Sequence, residues 1–161
     1  MIQIICRTPT CSKREIIMRI ERASYRDPWS WADFTDMLKV AVNKQLGIVG
    51  FVAWFGLPTE LRITNIAVDP IYRRQGIGSQ MLKYLYDKLS YSRREALSAC
   101  VPVGVHTIGG KAYGPSLFFR DAKPYGFRWV ETILDERGKD HSYLMRCANR
   151  ICHENKSFRR Q

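Results

Sequence analysis

The chain has 161 residues, of which 45% are hydrophobic and 25% are charged, so its composition excludes a disordered protein and fits a single compact domain. Lysine and arginine number 26 against 15 aspartate and glutamate residues, and the resulting net charge of +11 favours an anionic partner. A nucleic acid, an acidic protein surface and a polyphosphate cofactor all satisfy this charge. No apolar run reaches membrane-spanning length, and we expect a cytoplasmic protein that makes no membrane contact.

The five cysteines also favour a reducing compartment. Their number is odd and none forms a Cys-x-x-Cys pair, which argues against a disulfide framework and against a zinc knuckle. Cys147, Cys152 and His153 lie near one another in sequence but lack the tight pairing of metal ligands. We therefore expect no bound metal.

Two helices are predicted near the N-terminus. Ser12 and Glu15 form a capping-box pattern that starts a helix, and apolar residues recur behind it at helical spacing up to about Tyr25. A repeat of the capping signal predicts a second, shorter helix over residues 30–39.

From residue 40 the apolar period becomes that of strands. A hairpin is predicted over 40–55 and a further strand over 61–68. Within that strand the apolar side chains fall on odd positions up to Ile63 and on even positions from Ile66. We therefore expect a β-bulge near Thr64-Asn65.

The C-terminal half is predicted to alternate helices and strands. Its elements are a helix with an apolar stripe from Ile77 to Leu89, a strand over 96–103, a glycine-rich loop over 104–115, a short helix that begins at Ser116 and stops at Pro124, and a closing hairpin of 127–134 and 141–147. The domain spans residues 1–148, and a basic tail, 149–161, is expected to fray.

One segment, between the strand over 61–68 and the next helix, carries an anion-binding signal. Residues 73–79 read Arg-Arg-Gln-Gly-Ile-Gly-Ser. A helix N-terminus presents unpaired amides and partial positive charge, and glycines let the backbone approach an anion closely. The segment lacks the Lys-Ser/Thr pair of a P-loop and the third glycine of a dinucleotide-binding fingerprint. It predicts a pyrophosphate cradle, with a plain glycine turn beside two solvated arginines as the alternative.

Residues 65–70, Asn-Ile-Ala-Val-Asp-Pro, followed by the motif at 73–78, resemble the acetyl-CoA-binding motif of the GCN5-related N-acetyltransferases, the GNAT family. The family pattern Arg/Gln-x-x-Gly-x-Gly/Ala is fully matched. Residues 20–25, Pro28-Trp29 and Gly126-Phe127 are similar to the ribosomal-protein-alanine N-acetyltransferase branch of that family. The resemblance implies an α+β fold of the α/β three-layer type. In such a fold helices cover both faces of a mixed, mostly antiparallel, twisted sheet of six or seven strands.

The resemblance also implies acetyl-CoA as the co-substrate. Backbone groups of the strand would pair with its pantetheine arm, amides of the glycine turn would hold the pyrophosphate, and the guanidinium groups would contact phosphates. The implied cofactor-binding residues are Ile66, Ala67, Val68, Arg73, Arg74, Gln75, Gly76, Ile77, Gly78 and Ser79. The loop of Asp27, Pro28 and Trp29 would line the acceptor groove, with a core anchor as the alternative role of Trp29.

The catalytic side chains of the branch do not carry over to this sequence. Its glutamate base aligns with Ala99, and its tyrosine acid aligns with Phe118 or Phe119. The replacement candidates are His106, Tyr113 and Tyr125. Each has a plain alternative, as a solvated histidine or a packing aromatic residue. Glu60 is a further candidate base acting through water, with a solvent-exposed turn carboxylate as its alternative.

The implied reaction moves an acetyl group from acetyl-CoA to a primary amine by direct attack on the thioester. An α-amine with a pKa near 7.7–8.0 needs about 1 kcal/mol to deprotonate at pH 7, whereas a lysine amine near 10.4 needs about 4.6 kcal/mol. The missing glutamate therefore favours a peptide or protein N-terminus as acceptor. The alternatives are a catalytically degenerate domain that binds acyl-CoA as a sensor or scaffold, and an enzyme for small-molecule amines. A nucleic acid partner ranks last because aromatic and basic residues do not interleave as they do in RNA-binding modules. We expect the protein to be a monomer or a homodimer.

Overall fold

The computed structural model describes residues 5–7, 10–25, 27–34, 37–102, 107–108, 111–112, 126–134, 136–138 and 140–148. The chain divides into two compact units. Unit 1 comprises Met1–Phe55 and Ile63–Leu82, and unit 2 comprises Gly56–Arg62 and Lys83–Gln161.

The described residues form a mixed β-sheet accompanied by helices. In chain order the elements are β1 Ile5–Arg7, α1 Arg14–Arg22, β2 Leu38–Asn43, β3 Gly47–Gly56, β4 Glu60–Val68, α2 Ile77–Ser90, β5 Ala96–Pro102, β6 Thr107–Ile108, β7 Lys111–Ala112, β8 Arg128–Leu134 and β9 Asp140–Ala148. The strand order is β1-β2-β3-β4 in unit 1 and β4-β5-β9-β8 in unit 2, because β4 contributes residues to both units. The pairs β1–β2, β2–β3, β5–β9 and β8–β9 are antiparallel. The predicted α+β class is confirmed.

Helix α1 places its apolar stripe in the core of unit 1. Ile17 and Ile20 are buried there in one cluster with Phe51 of β3. The helix is confirmed, but the predicted cap at Ser12 is wrong. That residue lies within a 3-10 turn, Cys11–Lys13, where its hydroxyl oxygen is 3.0 Å from a neighbouring threonine hydroxyl.

The second predicted helix, over 30–39, is wrong. Its capping signal is present, since the Asp33 carboxylate accepts hydrogen bonds from the Ser30 amide and hydroxyl, both at 2.7 Å. Only the 3-10 turn Trp31–Asp33 follows this cap, and the chain then enters β2, which pairs with β3. Leu38 and Lys39 at the end of the predicted helix pair instead with Ala53 and Val52, and this strand pairing overrides the local helical pattern.

From Leu61 to Val68, the burial of side chains along β4 alternates without interruption. Every odd position from 61 to 67 is buried, and every even position from 62 to 68 is half-buried. The predicted change of buried face between Ile63 and Ile66 is therefore wrong, and the β-bulge near Thr64-Asn65 stays a prediction. The hydrophobicity pattern misled because the polar Asn65 lies on the buried face, whereas the apolar Ile66 and Val68 lie on the half-buried face.

β3 and β4 approach each other closely at Gly50. A Cβ atom there would lie 2.8 Å from the Ala67 carbonyl oxygen and 3.3 Å from the terminal methyl of Met81. The missing side chain of Gly50 thus permits the spacing between the two strands beside Ala67.

In unit 2, β5 pairs along its whole length with β9, and β9 pairs with β8 in the predicted closing hairpin, which is confirmed. The predicted loop over 104–115 contains β6 and β7, which form a small two-stranded hairpin. The predicted helix after Ser116 and the tail 149–161 lie outside the described residues. Neither described helix has the length and apolarity that crossing a bilayer requires.

Gly50→Ala is expected to lower the free energy of unfolding by about 1–3 kcal/mol, because its methyl group meets the rigid carbonyl of Ala67. Gly47→Ala provides the comparison: Gly47 has φ +79° but a Cβ there meets nothing within 4 Å, so its cost is backbone strain alone. Urea unfolding of both variants measures the difference. A Gly50→Ala protein no less stable than the Gly47→Ala protein would contradict the close approach.

Candidate active site

The candidate site is built on one edge of β4. The Asp69 amide donates to the Val49 carbonyl of β3 at 2.9 Å. Because successive strand residues direct their backbone groups to opposite sides, those of Ile66 and Val68 point away from β3. We call this side the outer edge of β4.

Side chains satisfy the backbone groups of the outer edge. The Tyr25 hydroxyl donates to the Ile66 carbonyl at 2.9 Å and accepts from the Ile66 amide at 3.1 Å. Arg73 donates from Nε to the Val68 carbonyl and from Nη2 to the Ser24 hydroxyl, both at 2.9 Å. Burial raises the pKa of Tyr25 above its ordinary value, so its hydroxyl remains protonated and keeps donating.

The segment that follows β4 has a backbone suited to anions. Arg74 has φ 66° and Gly76 has φ 77°, and the left-handed region is costly for a non-glycine residue. A Cβ atom at Gly76 would meet nothing within 4 Å. The Gln80 amide donates to the Gly76 carbonyl at 3.1 Å, so the amides before Gln80 lie at the N-terminus of α2. Left-handed residues beside a helix N-terminus form the amide-lined concavity that binds phosphates.

Asp69 connects β4 to this concavity. Its buried carboxylate accepts a hydrogen bond from the Ile71 amide at 3.1 Å and pairs with Arg19 of α1 at 2.9 Å. The first contact caps the 3-10 turn Pro70–Tyr72. The second ties α1 to the end of β4, so one carboxylate orients both elements.

Glu21 of α1 joins the predicted acceptor loop to β4. Its side chain is fully buried, and Oε1 accepts hydrogen bonds from the Trp29 amide at 3.0 Å and from Nδ2 of Asn65 at 2.8 Å. Oε2 has no hydrogen-bond partner among the described residues. Burial raises the pKa of Glu21, and the two hydrogen bonds oppose that rise.

Within the predicted acceptor loop, Asp27 and Pro28 are exposed and Trp29 is half-buried. The Trp29 ring packs edge-on against Phe34, with centroids 5.5 Å apart, and Phe34 packs at the same distance on the buried Phe51. The geometry thus favours the anchoring alternative for Trp29 and leaves the two preceding side chains open to solvent.

Unit 2 contains Ala99, which the resemblance aligns with the glutamate of the family branch. Ala99 is buried in β5 and provides no titratable group. Glu60 is also buried rather than solvated, so the turn-carboxylate alternative is wrong. Its carboxylate accepts from the Ser98 hydroxyl at 3.0 Å and forms ion pairs with Arg62 at 2.5 Å and Arg146 at 3.5 Å. These partners engage the lone pairs that a base would use.

The structure brings together only part of the predicted site. Ile66, Val68 and Arg73 converge on the outer edge, whereas His106, Tyr113 and Tyr125 lie outside the described residues. Sequence reasoning missed Glu21 and Tyr25 as site residues. A signal existed for Glu21, because it follows Ile17 by one helical turn and so belongs to the buried stripe of α1. No group of three or more potential metal ligands occurs in the described part of the chain.

Comparison with known proteins agrees with this geometry. A family described as an acetyltransferase (GNAT) domain matches residues 37–108. The ribosomal protein bS18-alanine N-acetyltransferase of Escherichia coli strain K12 is 32% identical over 108 residues, which cover 64% of this chain and 72% of that protein.

Three solved structures share the fold. The ribosomal-protein-S18-alanine N-acetyltransferase from Escherichia coli has a TM-score of 0.70 at 18% identity, covering 91% of this chain and 94% of that one. Ard1 from Thermoplasma volcanium has a TM-score of 0.71 at 19% identity, covering 90% and 97%. Arabidopsis thaliana Naa50, in complex with the bisubstrate analogue CoA-Ac-MVNAL, has a TM-score of 0.68 at 17% identity, covering 89% and 97%.

Glu21→Gln is expected to change the pH dependence of stability. Burial raises the pKa of Glu21 above 4.5 in the folded state. Between the unfolded-state pKa and the folded-state pKa, the folded protein therefore binds more protons than the unfolded protein. The contribution of Glu21 to stability is therefore full below about pH 4.5 and lost as pH rises through the folded-state pKa. Relative to the wild type, the glutamine variant should gain stability over the same interval.

Urea midpoints of the wild type and Glu21→Gln at several pH values between 4 and 8 measure this effect. Glu15→Gln, on the exposed face of the same helix, controls for the loss of one negative charge. A stability difference between wild type and Glu21→Gln that is constant across this range would disprove the raised pKa.

Proposed function

Because the chain belongs to the GNAT acetyltransferase family, we propose that it acetylates the free α-amine of a protein or peptide N-terminus with acetyl-CoA as co-substrate. The Escherichia coli relative is named for an alanine of ribosomal protein bS18, and Naa50 was solved with a peptide-bearing bisubstrate analogue. Both names describe acceptors with a peptide character, which supports the same class of acceptor here.

One observation most supports acetyl-CoA binding. The outer edge of β4 has side chains as its hydrogen-bond partners, and it lies directly before the N-terminus of α2. On this proposal the outer-edge groups of Ile66 and Val68 pair with the pantetheine arm in the manner of an added strand. The amides at the start of α2 and the left-handed backbone of Arg74 and Gly76 hold the pyrophosphate. The open space beside Gly76 fits this role.

The reaction proposed is direct attack of a neutral amine on the thioester that acetyl-CoA supplies. It requires a deprotonated amine and a proton for the departing thiolate. With Ala99 in place of a glutamate, an α-amine, which needs only about 1 kcal/mol to deprotonate at pH 7, suits the chain better than a lysine amine. His106, Tyr113 and Tyr125 remain our candidates for proton transfer.

The acceptor is proposed to enter beside the loop of Asp27, Pro28 and Trp29. Trp29 fixes this loop through its backbone bond to Glu21 and its ring contact with Phe34. The exposed Asp27 carboxylate provides a negative group suited to an N-terminal ammonium before it loses its proton.

Two finer points belong to the same proposal. Cysteine usage without paired motifs supports a cytoplasmic protein. A monomer or homodimer remains our expectation for the assembly, with acetyl-CoA and an amine as partners rather than a nucleic acid.

A catalytically degenerate acyl-CoA-binding domain is the second candidate. The buried Ala99, which stands where the branch has its base, favours this candidate. The engagement of Glu60 by two arginines favours it as well. The two candidates share the cofactor site and differ only in turnover.

Gly76→Ala is expected to weaken coenzyme A binding about tenfold or more. The methyl group strains a backbone with φ +77° and projects into the open space proposed for the pyrophosphate. Gly138→Ala is the matched control, since Gly138 has φ +71° and equally open surroundings in the β8–β9 turn. Titration calorimetry should show an unchanged dissociation constant for the control. Wild-type affinity in Gly76→Ala would refute the cradle.

Incubation with acetyl-CoA and a panel of peptides tests the acceptor. We expect peptides with a free α-amine to be acetylated. The same peptides with a blocked N-terminus and an internal lysine should not be acetylated, because the lysine amine is harder to deprotonate. Mass spectrometry locates the acetyl group. Modification of lysines alone would refute the N-terminal acceptor, and saturable coenzyme A binding without any acetylation would establish the degenerate domain instead.

A further inference from the structure

The contact between Tyr25 and Ile66 has the form of a strand pairing. In an antiparallel sheet, two hydrogen-bonded residues exchange both of their backbone bonds. The Tyr25 hydroxyl makes both bonds to one residue, donating at 2.9 Å and accepting at 3.1 Å. The Tyr25 oxygen thus both donates and accepts a hydrogen bond. In a neighbouring strand or a bound ligand, an amide N–H would donate and an amide C=O would accept.

The Ile66 amide can serve only one such partner well. A backbone N–H carries a single hydrogen, so an acceptor on a ligand must compete with the Tyr25 oxygen for it. The pantetheine arm contains amide groups with the same donor and acceptor pair. We propose that Tyr25 holds the place of the pantetheine arm on β4, and that acetyl-CoA binds by displacing the Tyr25 hydroxyl from Ile66. This inference rests on the proposed function, which assigns acetyl-CoA to the outer edge.

The Tyr25 ring packs against the core cluster of unit 1, so the exchange requires a movement of the hydroxyl end of the side chain. The Tyr25 backbone amide is held by the Glu21 carbonyl at 3.0 Å, one helical turn earlier. The Glu21 carboxylate separately holds the Trp29 amide and the Asn65 side chain. The backbone on both sides of the exchange is therefore held by contacts that do not involve the Tyr25 hydroxyl. Tyr25 sets the affinity for the arm, whereas the cradle sets the affinity for the phosphates.

Tyr25→Phe tests this competition, because it removes the hydroxyl and keeps the ring. Two ligands separate the effects: coenzyme A, and adenosine 3′-phosphate 5′-diphosphate, which is its nucleotide half without the arm. We expect the variant to bind coenzyme A about three- to tenfold more tightly than the wild type, the ratio that one net hydrogen bond produces. Affinity for the nucleotide half should not change. Tyr91→Phe, at an exposed tyrosine, should leave both affinities at the wild-type value.

Spectra of the wild type provide a second readout that does not depend on the variant folding. In protein with carbon-13-labelled tyrosine, coenzyme A should shift the ring signals of Tyr25, and the nucleotide half should leave them in place. Unchanged or weaker coenzyme A binding by Tyr25→Phe would overturn the inference. Tyr25 ring signals that do not shift when coenzyme A is added to the wild type would overturn it as well. In either case tight binding by the wild type would leave the proposed function intact. A wild type that binds neither ligand would refute the proposed function itself.

Discussion

The backbone groups on the outer edge of β4 need hydrogen-bond partners, and this need organises unit 1. A buried backbone group without a partner costs about 1–3 kcal/mol, so a side chain that acts as its partner stabilises the fold. Tyr25 supplies such a partner from the turn that ends α1, and Arg73 supplies another from the segment after β4. The same two contacts therefore join β4 to the turn after α1 and to the segment of the proposed anion cradle.

Glu21 holds the proposed acceptor loop in position, and its burial costs solvation free energy. A carboxylate removed from water is unfavourable unless it is hydrogen-bonded, and here two bonds converge on one oxygen while the other has no partner among the described residues. The raised pKa of Glu21 reflects the part of that cost that remains. In return, the Glu21 carboxylate joins α1 to the loop at Trp29 and to β4 at Asn65. The ring contact of Trp29 with Phe34 adds an apolar anchor.

The sequence predicts those features that depend on local periodicity or on a short motif. The stripes of α1 and α2, the closing hairpin and the glycine turn at Gly76 follow from spacing alone, and the structure contains them. The failures involve partners that are distant in sequence. Asn65 is a polar residue on a buried face because its partner, Glu21, lies 44 residues earlier. Glu60 is buried because its serine partner lies 38 residues later. Neither pairing can be read from the local hydrophobic pattern. That pattern therefore predicts a phase slip near Asn65 and a solvent-exposed carboxylate at Glu60.

The charge at the site differs from the charge of the chain. A net +11 suggests a strongly cationic pocket, yet Arg19 is engaged with Asp69 and Arg73 with the Val68 carbonyl. Exchange of a hydroxyl for an amide on the outer edge breaks and makes similar hydrogen bonds and contributes little net free energy. On the proposed function, most of the affinity for acetyl-CoA then comes from the N-terminus of α2 and the exposed Arg74, through charge-assisted bonds to phosphate. The proposal thus places the phosphates by local backbone geometry rather than by the total charge of the chain.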